Sequence, residues 1–156
     1  MIAKVSLWRL YAMLIAFTML SACSDKPQYS AFRHLNADGW AYGDTVEMSF
    51  PTSDSVMSGT LCVALRHNND YRFANLWLEI TVPLPGGGVR RDTVNVPMAD
   101  KFGRWYGGGF GTSFQLTDTV ASRLTIDARR ALGVRHIMRL DTLTDIELIG
   151  LTFSNP

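Results

Sequence analysis

The chain has 156 residues, with 15 basic and 14 acidic side chains, a formal charge of +1 and 47% hydrophobic residues. That is the size of one domain able to bury its own core without staples. The near-neutral balance, with no basic cluster, excludes an electrostatic footprint for nucleic acid and a polybasic patch for anionic lipid.

At the N-terminus Lys4 and Arg9 accompany an uncharged apolar run, Leu10 to Leu20. At about eleven residues it matches a signal-peptide core and falls short of the ~20 that a spanning helix needs. Leu20-Ser21-Ala22-Cys23 closes the run. A Leu, two small residues and a Cys is similar to the bacterial lipobox, in which the Cys sulfur takes a diacylglyceryl group and the peptide is cut just before it. The thiol is the side chain nucleophilic enough for that thioether, and Ser21 and Ala22 let a peptidase approach. Residues 1–22 are therefore expected to be a lipoprotein signal peptide. Cys23 is the lipidation site, its covalent diacylglyceryl and N-acyl lipid taking the place of any cofactor. Removing residues 1–22 from the 156 leaves 134 and moves the formal charge to about −1, since Lys4 and Arg9 go with them. Two or three acyl chains, at about 0.8 kcal/mol per buried methylene, make a firm anchor.

Residues 23–38 read as the lipidated Cys and a tether, polar from Ser24 and marked by Pro27. Asp25 is followed by Lys26, which is not an acidic surface-export run, so the domain is expected to face the periplasm. Residues 39–156 read as one all-β domain. Asp44–Phe50 alternates, with Val46, Met48 and Phe50 on one face; Leu61, Val63 and Leu65 do the same within Thr60–His67. Leu76, Leu78, Ile80 and Val82 form the cleanest period-two set. Pro83-Leu84-Pro85-Gly86-Gly87-Gly88 is a turn, and Val89–Val96 resumes the pattern up to Pro97. Ser113–Leu116, Ser122–Ala128, Val134–Leu140 and Ile146–Phe153 complete about eight strands, with a tight turn through Asp141–Leu143. The spacing predicts an antiparallel β-sandwich or jelly roll.

Chemistry-bearing residues are sparse. Acylation of Cys23 leaves Cys62 alone, so no intrachain disulfide forms; its apolar neighbours predict a buried, inert thiol. His34, His67 and His136 have no metal-ligand spacing. His67 and His136 fall on strands, where a partly buried or surface imidazole is expected. Gly107-Gly108-Gly109-Phe110-Gly111 lacks the Lys-Ser/Thr of a phosphate loop and reads as bulges or close backbone approach. Asp44, Asp92, Asp100, Asp118, Asp141 and Asp145 mostly lie beside turns, with no calcium spacing. Gly-x-Ser-x-Gly is absent. Nothing argues for an enzyme, and no catalytic, metal or cofactor-binding residue is assigned. Of the aromatics, Tyr71, Trp77, Trp105 and Tyr106 are the interaction candidates, with Trp77 on the face opposite Leu76 and Leu78, and the aromatic, glycine-rich stretch Trp105–Gly111 is the expected docking surface.

Several segments in order carry a family resemblance. Leu65-Arg66-His67-Asn68-Asn69-Asp70-Tyr71 leads into Ala74-Asn75-Leu76-Trp77-Leu78, then Asp92-Thr93-Val94, Met98-Ala99-Asp100 and Gly103-Arg104-Trp105-Tyr106-Gly107-Gly108-Gly109. Val134-Arg135-His136-Ile137-Met138-Arg139 follows, with Leu143, Ile146 and Ile149-Gly150-Leu151 after it. The chain resembles the gliding-motility lipoprotein family GldH of the Bacteroidota, from the lipobox almost to the C-terminus. Tyr71–Trp77 and Asp100–Gly109 are its most specific pieces. The resemblance implies an outer-membrane lipoprotein that, in gliding members, serves motility machinery linked to type IX secretion, with envelope proteins as partners and no catalytic residues. Only Cys23 is carried over as a functional residue. The alternative is a lipid-anchored carbohydrate-binding module, with glycan as partner and Asn68, Asn69, Asp70 and Tyr71 as a rim.

Overall fold

The computed structural model describes residues 29–154. The expected signal peptide, Cys23 and the first part of the tether lie outside the described residues. Eleven strands follow in chain order: β1 (Tyr29–His34), β2 (Trp40–Ala41), β3 (Val46–Met48), β4 (Val56–Asn68), β5 (Asn75–Pro83), β6 (Val89–Pro97), β7 (Gly108–Phe110), β8 (Ser113–Asp127), β9 (Leu132–His136), β10 (Thr142–Leu143) and β11 (Ile146–Ser154). They form a five-stranded sheet, β1-β11-β4-β8-β7, and a four-stranded sheet, β3-β9-β5-β6, with β2 and β10 paired at the side. All pairings are antiparallel. The two larger sheets face each other as the layers of a sandwich, which is the fold class the alternation predicts.

The alternation expected for β4 and β5 is realised. Leu61 and Val63 from β4 and Leu76, Leu78, Ile80 and Val82 from β5 are all fully buried. They meet Val134 from β9 and Ile149, Leu151 and Phe153 from β11 in one core. Each such side chain contributes about 1.5–3 kcal/mol of burial.

Five expectations are corrected. The domain begins earlier than residue 39: Tyr29–His34, placed in the tether, pairs with β11 from Tyr29↔Phe153 to His34↔Leu148. Ser113–Leu116 and Ser122–Ala128 are parts of one strand, β8, whose pairing with β4 shifts register around Val120 and Arg123. Each bulge adds a residue and breaks the alternation, and Arg123 takes a φ of 55°. The strand expected over Val134–Leu140 spans Leu132–His136 instead. The turn expected at Asp141–Leu143 instead contains β10, which pairs Thr142↔Ala41 and Leu143↔Trp40. Cys62 is half-exposed rather than buried: it alternates with the inward Leu61 and Val63, and its Sγ lies 3.8 Å from Thr119 Oγ1.

Candidate interaction surface at one end of the sandwich

The order of the strands divides the molecule into two ends. Tyr29 pairs with Phe153 and Phe153 with Leu61, so the chain enters at that level. At the other end β4 finishes at Asn68, which pairs with Ser113, and Ser113 pairs with Phe110. This second end carries Tyr71, Trp105 and Tyr106 from the candidate set, and Trp77 lies nearby on the outer face of β5.

His67 organises this end. It is fully buried, a correction to the partly buried or surface imidazole expected from its strand position. Its ring lies 4.7 Å from Trp105, 5.6 Å from Phe114 and 5.7 Å from Tyr71, centroid to centroid. Nδ1 is 2.8 Å from the Asn68 carbonyl and donates to it. Nε2 is buried with no partner. Desolvation holds the pKa of this imidazole below its ordinary value, only partly opposed by the Asn68 carbonyl. His136 repeats the arrangement. It too is fully buried, donates from Nε2 to the Trp40 carbonyl at 2.9 Å, leaves Nδ1 without a partner and is shifted down by burial. In both, burial favours the neutral imidazole, and each ring packs edge-on to a tryptophan, His67 against Trp105 and His136 against Trp40.

The loop after β4 is tied by polar bonds. Asn68 Nδ2 donates to Asp145 Oδ1 at 3.0 Å, and the Asp70 amide donates to Asn68 Oδ1 at 2.8 Å. The Thr144 hydroxyl and then the Asn68 amide hold the Asp145 carboxyl below the usual carboxylate range. Tyr71 is buried, which removes it from the exposed candidates. Its hydroxyl donates to the Asn75 carbonyl at 2.9 Å, and burial pushes its ionisation upwards. Trp105 is partly buried against the core, and its indole N–H donates to Asn69 Oδ1 at 2.9 Å. Of the four candidates, Trp77 and Tyr106 remain clearly exposed, at 40% and 47%.

Two further side chains are exposed at this end: Phe110, inside the Trp105–Gly111 stretch expected to dock, and Phe102, which the sequence reading did not single out. Phe102 is 72% exposed and Phe110 97% exposed. Phe102 sits in the loop closed by the bridge between Ala99 and Trp105. Asp100 braces that loop: its carboxylate accepts from the Phe102 amide at 2.8 Å, the Arg104 amide at 2.9 Å and Arg104 Nε at 2.8 Å. These bonds, led by the Arg104 amide, hold its carboxyl below the usual range. Phe110 stands at the tip of the β7–β8 hairpin, where Gly111 has a φ of 65°. Gly107, at a φ of 84°, lies so close to the Gln115 carbonyl that a Cβ would collide with it, which is the close backbone approach expected of the glycine cluster. The flanking glycines of Phe110 were the available sequence signal, since an aromatic between turn glycines has no neighbouring side chains to cover it.

On the outer face of the four-stranded sheet, Trp77 borders an apolar depression with Phe73, Ile137 and Leu140. Glu79 and Arg135 pair across β5 and β9 at 2.9 Å on the same face. The aromatic pair with nearly parallel planes, His67 and Phe114 at 19°, includes a fully buried ring, so it offers no sugar-stacking platform. Among the described residues no group of three or more His, Cys, Asp or Glu side chains is placed to hold a metal.

The model of the family described as GldH lipoprotein matches residues 28–153. The chain is 29% identical over 106 residues to a protein named gliding motility lipoprotein GldH homolog in Christiangramia forsetii; the match covers 68% of this chain and 64% of that one. It is 32% identical over 98 residues to gliding motility lipoprotein GldH of Flavobacterium johnsoniae, covering 63% of this chain and 61% of that one. The aligned stretch thus spans less than two thirds of either relative. No solved structure matches the chain.

Proposed function

The chain belongs to the GldH lipoprotein family, and from that premise we propose that it is a lipid-anchored, non-enzymatic component of an outer-membrane assembly serving gliding motility and the type IX secretion linked to it. The observation that carries this reading is the family match across residues 28–153, directly behind a Leu20-Ser21-Ala22-Cys23 lipobox. The relatives are named for gliding motility and not for a reaction. Acyl chains on Cys23 hold the domain at the membrane surface, facing the periplasm, and so raise its effective concentration beside anchored partners. The test is Cys23→Ser in a gliding host lacking its own family member. The reading expects a folded but soluble protein and loss of gliding; a soluble form that restores gliding contradicts it.

A second reading, a lipid-anchored glycan binder, draws on one observation. The exposed Trp77 ring pairs across the sheet with Asn95, and Asn75 Nδ2 donates to Asn95 Oδ1 at 2.8 Å, which places amides beside an aromatic face. Binding on a glycan array that is lost in Trp77→Ala would favour it.

A further inference from the structure

We propose that the end of the sandwich opposite the tether docks a protein partner whose apolar pockets are edged by acidic side chains, with Phe102 and Phe110 as the inserted anchors. The inference rests on the reading of Cys23 as the membrane anchor.

The exposure of these two rings is the first observation. At 72% and 97% they are the most exposed large apolar side chains among the described residues, and neither contributes to the core. The backbone beneath both is nevertheless held in place. Phe102 rides on a loop cross-braced by Asp100 and pinned through Trp105 to Asn69. Phe110 stands on a β-hairpin registered by Gly108↔Gln115, Gly109↔Phe114 and Phe110↔Ser113. Tips whose backbone is already fixed order fewer residues on binding, which favours an anchor role.

The second observation is charge. Lys101 Nζ lies 5.0 Å and the Arg104 guanidinium carbon 5.6 Å from the centroid of the Phe102 ring. The carboxylate of Asp100 is already engaged by Arg104 and two loop amides, and Lys101 makes no ion pair among the described residues. With Arg104 paired to Asp100, Lys101 leaves an uncompensated positive charge beside the ring; this fits a pocket edged by carboxylates, and that complementarity steers encounter as well as register.

The third observation separates a protein from the bilayer that holds the lipid. From the level of Leu61, where Tyr29 enters through Phe153, to Asn68 at the far end is seven residues of β4, about 23 Å of strand. The tether from Cys23 to Gln28 has six residues and extends at most about 20 Å. The tips reach that bilayer only with the strands laid along it; with the strands upright they point into the aqueous space, where a protein partner meets them.

The experiment places a photo-crosslinking phenylalanine derivative at Phe102 or Phe110 in the lipidated chain, in cells, with the exposed Val56 and Val89 at the opposite end as controls. The expected result is one and the same protein adduct from positions 102 and 110, through a peptide rich in Asp and Glu. The controls give no such adduct, and Lys101→Glu with Arg104→Glu lowers its yield at least tenfold. Adducts with lipid, with a second copy of this chain, or equal yields from the controls overturn the proposal. As a second readout, Phe102→Ser with Phe110→Ser leaves the unfolding midpoint unchanged and abolishes gliding. If this variant glides normally while Cys23→Ser does not, the docking end is wrong and the family reading stands. If Cys23→Ser glides, it is the anchored reading that fails.

Discussion

The imidazole of His67 lies edge-on to the indole of Trp105, ring centroids 4.7 Å apart and planes at 67°. This contact joins the core of the five-stranded sheet to the loop that carries Phe102. It ties the stability of the fold to the placement of the candidate docking end.

Because burial lowers the pKa of both His67 and His136 from 6.5, the folded protein resists their protonation while the unfolded chain accepts it. Between the unfolded and folded values the unfolded chain binds more protons, so stability rises with pH. The contribution of the neutral rings is complete above about pH 6.5 and is lost as pH falls below it. Urea denaturation at pH 7.5 and at pH 5 is expected to show the lower midpoint at pH 5. His67→Phe, which keeps the ring contacts, flattens that slope.

Gly107→Ala and Gly150→Ala are expected to differ. At Gly107 a Cβ meets the backbone carbonyl of Gln115 and sits at a φ of 84°. The left-handed backbone alone costs about 1–2 kcal/mol, and the collision can be relieved only by opening the β7–β8 hairpin. At Gly150 the Cβ meets the Phe32 ring, a 43% exposed side chain on edge strand β1 that can rotate aside. Thermal unfolding should show a loss of about 2 kcal/mol or more for the first and under about 1 kcal/mol for the second.

Tyr71→Phe removes the hydroxyl that donates to the Asn75 carbonyl. That acceptor sits where β5 begins, beside the buried ring, and losing its donor is expected to cost about 1–2 kcal/mol in equilibrium unfolding. The ring packing against Phe73 and Trp105 is retained, so the near-ultraviolet circular dichroism stays close to that of the parent.

Much of the framework was legible in the residues. The strict alternation of Leu76, Leu78, Ile80 and Val82 announced β5, and Pro97 its partner's end, because a strand with one buried face writes its period directly. Strand β1 was not legible: in Tyr29–His34 only Ala31 is buried, so an edge strand carries almost no pattern. Strand β8 was split because its bulges shift the inward positions between Leu116 and Leu124. His67 and His136 lie on strands as their positions predict, but their complete burial depends on Trp105, Phe114 and Trp40, which come from distant parts of the chain. At the docking end, of the residues the sequence offered, Tyr71 and Trp105 are partners within the cluster, whereas Tyr106 and Phe110 are exposed. The most exposed rings, Phe102 and Phe110, are set by turn geometry and not by periodicity.

The most direct test of the central claim, that this lipoprotein works as part of an envelope assembly, is purification of the lipidated chain in mild detergent with mass spectrometry of what accompanies it. The account predicts motility or secretion proteins of the envelope in fixed ratio to the chain, retained by the parent and lost from Cys23→Ser. Recovery of the lipidated chain alone, with gliding intact, would contradict it.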